Sequence, residues 1–574
     1  MSSSIRSQNW LKDAWSIAKP YWKSSKKLKA GSLLLATIVF NLMSVYITVL
    51  INKWYNKFYA SIQHYDKKAF ISSLYLFSIF AFTFIFFQIC ASLIRKFLEI
   101  DWRRWLTAYY IDKWFANQSY YKSRFLDKKM DNPDQRISDD INDFISLTLD
   151  LTLGLINSLV TLLSFITILW YISGSLPVHI FGHYFNVNGY LVYIALVYTL
   201  IGTYITFKIG RPIIKLNFLQ QNYEADFRYN LIRVREYSEN IAFYQGEKEE
   251  GHNLFNKFNI VVNNFVAIIY RQMKIDIFTN IYSQIAVVFP FIISSSRYFS
   301  KAIQLGDLMQ INSAFNRVQD SLSFFLSSYN VLANWRAVMD RLNGFQDDME
   351  NTLKLPFHKI EFSNNQNNLT VKDLSILLPN NKQILNLLNF SLNPGDKLLI
   401  IGKSGVGKTT LLRAISGIWP FYTGKITLKE NIKTLFITQK PYIPEGSFKD
   451  ILCYPMSAEK IDKEIILKFM RLCELSAYIN VLDSVKDWSN LLSIGEQQKI
   501  SFCRILLNQP DIVFLDEATS ALDEESEYLL YGLLNTHLKY KTIISVGHRK
   551  LIIKWHNCLL NMDNGCKMEK LNHE

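Results

Sequence analysis

Gly402, Lys403, Ser404, Gly405, Val406, Gly407, Lys408 and Thr409 follow one another in the spacing G-x-x-x-x-G-K-[ST], which suits a polyphosphate. Glycine at three of these positions lets backbone N–H groups approach an anion with no Cβ in the way. Lys408 brings a cation to β- and γ-phosphate oxygens, Thr409 offers its hydroxyl to Mg²⁺, and Thr410 extends the same phosphate-facing run. Farther on, Asp516 ends the apolar run Val513, Phe514, Leu515, which puts a carboxylate beside the same metal. Glu517 follows as the natural general base or water-orienting group. Gln439, after Leu435, Phe436 and Ile437, is a candidate γ-phosphate reporter and metal contact. His548, after the run Thr542–Val546, is placed to hold the γ-phosphate and an attacking water together. These residue types in this order predict a site that binds and hydrolyses ATP with Mg²⁺.

The elements that must position them are legible too. Lys397–Ile401 is apolar and suits a buried parallel strand, and Thr409–Ser416 has the make-up of a helix. Strand, glycine loop and helix N-terminus then converge on the phosphates. Ser493, Ile494, Gly495 and Glu496 precede an expected helix Glu496–Leu507, so the serine and the helix N-terminus form a second anion site. With Ser520–Asp523 added, the set resembles the ATP-binding cassette of ABC proteins. There the Ser493-type segment completes the site of a second cassette across a dimer interface, so the resemblance implies two chains.

Ahead of the cassette the composition changes. Hydrophobic residues make up 49% of the chain and aromatics 14%, with the excess in the first 335 residues. Apolar stretches at Gly31–Asn52, Phe70–Ile94, Leu151–Val178, Tyr190–Phe207 and Ile277–Ser296 are each long enough for a helix to cross about 30 Å of hydrocarbon. A sixth, Leu308–Ala333, is less apolar and carries Asp307, Arg317 and Asp320. Arg317 and Asp320 are three apart, which allows either pairing on one face or a polar substrate path. Asn312, Asn316 and Gln319 share that helix, with Gln310 nearby. Residues 1–30 hold seven Lys/Arg and one acid, whereas Gly174–Gly189 holds no Lys or Arg. The positive-inside rule therefore puts the N-terminus, the segments 95–150 and 208–276, and the cassette in the cytoplasm, despite Lys53, Lys57, Lys67 and Lys68 outside. The net charge of +14 then belongs to faces near anionic lipid, and no basic stretch with aromatic interleaving suggests nucleic acid. Six cysteines without a C-x-x-C pair fit a reducing compartment. No cleavable signal is read, because the first apolar segment is a full span behind a basic leader.

Several further motifs resemble one branch of ABC half-transporters, subfamily D together with the bacterial SbmA/BacA-like and YddA-like proteins. They include Asn52–Tyr59, Trp102–Thr107, Asn132–Ile137, Glu224–Arg228, Glu239–Glu247 and Gly306–Gln310. In the cassette the set continues with Gly417–Pro420, Gln439–Tyr442 and Asp487-Trp488. Cassette-bearing YddA-like members look most similar. The resemblance implies a six-helix, exporter-type α-helical transmembrane domain at 1–345, a linker at 346–368 and an α/β P-loop nucleotide-binding domain at 369–574. It also implies an ATP-driven homodimer in the bilayer, in the bacterial inner membrane with the ATPase cytoplasmic, moving a small hydrophilic solute, a peptide or a cobalamin-like compound. Alternatives are an acyl-CoA or lipid cargo, or an ATP-gated membrane regulator. Three departures stand out. Leu374–Pro379 lacks the usual adenine-stacking aromatic, Ile494 replaces a glycine, and Lys499 replaces an arginine.

Overall fold

The computed structural model describes residues 10–126, 132–180, 183–355, 360–363, 367–380, 382–547, 549–563 and 567–571. The chain divides into two compact units, Met1–Leu353 and Lys354–Glu574.

In the first unit a short α1 (Trp10–Trp22) precedes α2 (Lys27–Gln63), α3 (Lys67–Phe115) and α4 (Ile141–Ser173). An antiparallel hairpin of β1 (Ser175–Ile180) and β2 (His183–Asn188) comes next, where the sequence suggested only a loop. Then follow α5 (Tyr190–Glu236), a short α6 (Ser238–Tyr244), α7 (Glu247–Phe299), α8 (Leu305–Ser327) and α9 (Tyr329–Thr352). Among the described residues five helices, α2 to α5 and α7, are long and apolar enough to cross a membrane. The sixth expected stretch is helical as well, but it breaks at Ser328 between α8 and α9, and α8 is interrupted by Asp307, Arg317 and Asp320. α9 runs into the stretch read as a linker, which also contains β3 (Glu361–Ser363).

Chain chemistry sets the helix ends. Asp66 starts α3 by accepting the Lys68 and Ala69 N–H groups at 2.9 and 3.0 Å. α4 stops at Gly174, whose φ of +63° disfavours a side chain. Arg297 of α7 donates to the Ile172 carbonyl at 3.3 Å and to that of Ser173, covering carbonyls that the helix leaves open.

Helices in lipid associate through close packing and polar contacts rather than the hydrophobic effect. Between α2 and α8, Gln310 Nε2 donates to Asn52 Oδ1 and Asn52 Nδ2 to the Gln310 carbonyl, both at 3.1 Å and both buried. Asn56 Nδ2 donates to Asp307 Oδ1 at 2.5 Å, and a Cβ on Gly306 would sit 2.2 Å from the Asn56 carbonyl. Two sequence motifs some 250 residues apart thus form a single joint. Gln310, which the sequence placed only near the polar residues of α8, is taken up by the joint. A second polar knot lies where α3, α4 and α9 meet. Asp140 accepts from Arg136 at 2.5 Å and from Arg341 at 2.6 Å, inside a core of Trp102, Phe144, Tyr110, Leu342 and Phe345.

The second unit has two sheets. One is four-stranded, in the order β3, β7 (Tyr422–Lys429), β4 (Leu369–Leu377), β5 (Gln383–Leu392). The other has six strands: β12 (Met568–Lys570), β11 (Cys558–Asn561), β6 (Lys397–Ile401), β10 (Thr542–Val546), β9 (Ile512–Asp516) and β8 (Thr434–Ile437). β6, β9 and β10 are largely apolar, buried along nearly their whole length, and lie inside this sheet with parallel neighbours, as befits strands covered on both faces. α10 (Lys408–Ile415), α11 (Phe448–Cys453), α12 (Lys463–Leu472), α13 (Ile494–Asn508) and α14 (Glu524–His537) complete the unit. Phe448, Phe502, Leu506, Val513 and Leu515 belong to its largest apolar core.

Candidate functional site

Strand register gathers the site. Val546 of β10 pairs with Ile400 of β6 on one side and with Asp516 of β9 on the other. The chain therefore leaves these three strands at one sheet edge, where open α/β sheets bind ligands. The glycine loop, the Asp516-Glu517 pair and the segment after Val546 all emerge there. His548 itself lies outside the described residues.

The loop is shaped for an anion. Gly405 and Gly407 have φ of +83° and +102°. A Cβ on Gly405 would meet nothing within 4 Å, whereas one on Gly407 would strike Ile384 at 2.6 Å. Lys408 Nζ donates to the Gly402 and Lys403 carbonyls at 2.8 and 3.0 Å, so its ammonium lies inside the turn. The Lys403 N–H is accepted by Asp563 at 3.1 Å, which holds the same residue from its other side. Ser404 is exposed, and Val406, Thr409 and Thr410 are half-buried at the start of α10.

Thr409 Oγ1 donates to Asp516 Oδ1 at 3.0 Å. Burial pushes the Asp516 carboxyl above the usual range and the Glu517 charge adds to this, against the Thr409 hydroxyl and the charges of Arg413 and Lys408. A hydroxyl and a carboxylate side by side, next to a second acid, are hard oxygen donors that a divalent cation would relieve. The residues fit Mg²⁺, with Thr409 and Asp516 as its protein partners. Glu517 has φ of +49°, uncommon for a non-glycine, and its N–H is tied to the Val546 carbonyl at 3.1 Å. Gln439 Nε2 donates to Glu517 Oε2 at 3.0 Å, which joins the segment after β8 to the segment after β9.

Ser493 caps α13 in a reciprocal box. Its hydroxyl accepts the Glu496 N–H, while Glu496 Oε2 accepts the Ser493 N–H and hydroxyl at 2.9 and 2.7 Å. Tyr478 donates to the other Glu496 oxygen at 2.6 Å. Burial alone would raise the Glu496 carboxyl, but the bonds from Tyr478 and Ser493 hold it below the usual range. Glu496, expected at the nucleotide, is thus occupied in building the helix start. Gly495 packs closely, since a Cβ there would lie 3.2 Å from the Ala521 carbonyl.

Sequence reading missed two buried residues of α13. Arg504 donates to the carbonyls of Ile451 and Tyr442, both at 2.7 Å, and burial lowers it to about 10. Gln498 bonds the Gln439 carbonyl and the Ser520 segment. Their partners are mostly backbone carbonyls far away in sequence, which leave no mark in composition or spacing. Lys499 pairs with Glu474 at 2.6 Å. At the strand end lacking an adenine-stacking ring, Leu378 is half-buried, and Trp419 is buried with its N–H donated to the Leu377 carbonyl. In the first unit Arg317 and Asp320 are both exposed, and no ion pair joins them among the described residues.

Comparison with known proteins agrees with this geometry. The family described as ABC transporter transmembrane region 2 matches residues 17–299, and the family described as ABC transporter matches residues 385–520. The inner membrane ABC transporter ATP-binding protein YddA of Escherichia coli is 35% identical over 93% of this chain and 94% of its own. The chloroplastic ABC transporter D family member 2 of Arabidopsis thaliana is 31% identical over 96% and 86%. A bacterial Atm1-family ABC exporter solved with ATP bound shares the fold, with a TM-score of 0.72, 15% identity and coverage of 94% and 95%.

Proposed function

Because the chain belongs to the ABC transporters, as a half-transporter of the D-family and YddA-like kind, we propose that two copies of it form the working transporter. The family makes it an integral membrane protein whose ATPase activity is coupled to transport. The carrying observation is that one chain holds a single phosphate loop and a single Ser493-capped helix, each half of a composite site. ATP would lie on the Gly402–Thr410 loop, with Ser493 and Gly495 of the other copy facing the γ-phosphate.

In hydrolysis Glu517 accepts a proton from water, Gln439 and His548 orient that water, and Lys408 offsets phosphate charge. Bound Mg²⁺ would supply further positive charge at Thr409 and Asp516. α8 serves as the sixth spanning helix in this reading, with residues 1–345 in the membrane domain and 369–574 in the cassette. Its exposed Arg317 and Asp320, with Asn316 on the same turns, would be costly against lipid and suit a polar cavity. A hydrophilic solute, a peptide or a cobalamin-like compound fits such a face better than a free lipid. The basic N-terminal segments and the similarity to YddA support a bacterial inner membrane with the cassette on the cytoplasmic side. The SbmA/BacA-like motifs favour the same branch.

Crosslinking tests the shared site. A chain carrying Ser493→Cys, mixed with one carrying Ser404→Cys, should give a disulfide-linked dimer when ATP is trapped by Glu517→Gln. Exclusively intrachain products in a chain carrying both cysteines would refute it.

A further inference from the structure

The three parts of the cassette that flank Glu517 are held by one amide. Gln498 on α13 is fully buried. Its Nε2 donates to the Gln439 carbonyl at 3.0 Å and to Ser520 Oγ at 3.2 Å, and its Oε1 accepts the Ala521 N–H at 3.0 Å. Gln439 in turn touches Glu517 at 3.0 Å, while Ser520 N–H donates back to the Glu517 carbonyl at 3.1 Å. The same helix carries Ser493 at its start, and Gly495 admits the Ala521 carbonyl to its surface. Every polar atom of this side chain with a hydrogen-bond role thus meets a segment on one or the other side of Glu517. A buried amide with its bonds filled fixes what it touches, since a lost partner leaves a desolvated group behind.

We infer that Gln498 is a positioning residue for hydrolysis, setting Gln439 and the Ser520–Ala521 turn around Glu517 from within α13. It acts on turnover and not on ATP capture, because none of its bonds reaches the Gly402–Thr410 loop. The inference rests on the reading of Glu517 as the base.

Gln498→Glu is nearly isosteric, keeps an acceptor for Ala521 and removes both donors. In the full-length protein reconstituted in nanodiscs, its affinity for a fluorescent ATP analogue in EDTA should stay within about twofold of wild type. Its kcat should drop roughly tenfold, the scale of one misplaced hydrogen-bonded group. Ser520→Ala deletes one partner at an exposed position, guards against a folding failure of the first variant, and should lower kcat by about twofold. Gln498→Glu that folds with the wild-type melting temperature and keeps its kcat overturns the inference. So does an affinity loss as large as the kcat loss, which would mark Gln498 as merely structural. Glu517→Gln run in parallel separates the two layers: if that variant still turns over ATP, the base assignment falls and not the role of Gln498.

Discussion

Both units bury amides and charges, but they use them to opposite ends. In the cassette, Gln498, Arg504 and the Ser493–Glu496 box fasten loops and a helix start, so most of their bonds involve backbone carbonyls and N–H groups. In the membrane unit, Asn52 with Gln310 and Asp140 with Arg341 fasten helix to helix, largely side chain to side chain, while Arg136 steadies Asp140 from the same helical segment. Loops around a reaction centre must be held in one shape without blocking a ligand. Helices in hydrocarbon have no water-driven reason to adhere and need directed contacts. Loss of a polar group should therefore cost function in one unit and assembly in the other.

The sharpest contrast comes from the reaction centre. Glu517→Gln should lower ATPase by roughly two to four orders of magnitude, the span of general-base catalysis, with ATP binding and melting temperature unchanged. Lys408→Ala should lose both binding and turnover. A Glu517→Gln protein that hydrolyses ATP at near-normal rates would break this side of the contrast.

On the membrane side, Asp140→Ala takes the carboxylate away from the buried Arg136 and removes both of its bonds to Arg341. Breaking a buried pair from one side costs about 3 kcal/mol or more, so the folded yield in detergent should fall steeply. An unchanged melting temperature would show that the knot does not hold the unit together. A milder test uses the neutral joint. Asn52→Leu leaves Gln310 unmatched and should destabilise by about 1 kcal/mol, while Asn52→Leu with Gln310→Leu should recover part of that loss. Additive losses in a double-mutant cycle would deny the coupling.

The smallest effect is expected at Lys499. The Lys499 ammonium, more than burial can oppose, holds the Glu474 carboxyl below the usual range. A lowered folded pKa gives stability that is present above the ordinary carboxylate value and disappears as pH falls through the lowered one. Lys499→Met should then cost about 0.5 kcal/mol near neutral pH, given the exposure of the pair, and nothing in strong acid. Denaturation of the full chain at both pH values checks this.

The same contrast governs what the sequence could tell. Strands Lys397–Ile401 and Thr542–Val546 end where their apolar runs end, because a strand covered on both faces must be continuous. The phosphate loop was legible because its chemistry needs residues at fixed, short spacing. At Ser493–Glu496 one pattern carries two readings, because a capping box uses the same Ser-x-x-Glu spacing as a ligand site would. Gln498 and Arg504 were invisible since their partners are mostly main-chain atoms some 20 to 60 residues away. In the membrane unit Asn52 and Gly306–Gln310 stood out as motifs, but only folding shows that they answer each other. Apolarity alone marked the five long apolar helices and left α8 undecided, because Asp307, Arg317 and Asp320 dilute its hydropathy.

The α2–α8 joint has one more consequence. Its inner rung, Asn52 with Gln310, has no proton to gain or lose in the biological range, whereas the next rung, Asn56 with Asp307, ends on a carboxylate. At the inner rung the two helices are thus bolted by a fastener that no proton gradient can loosen.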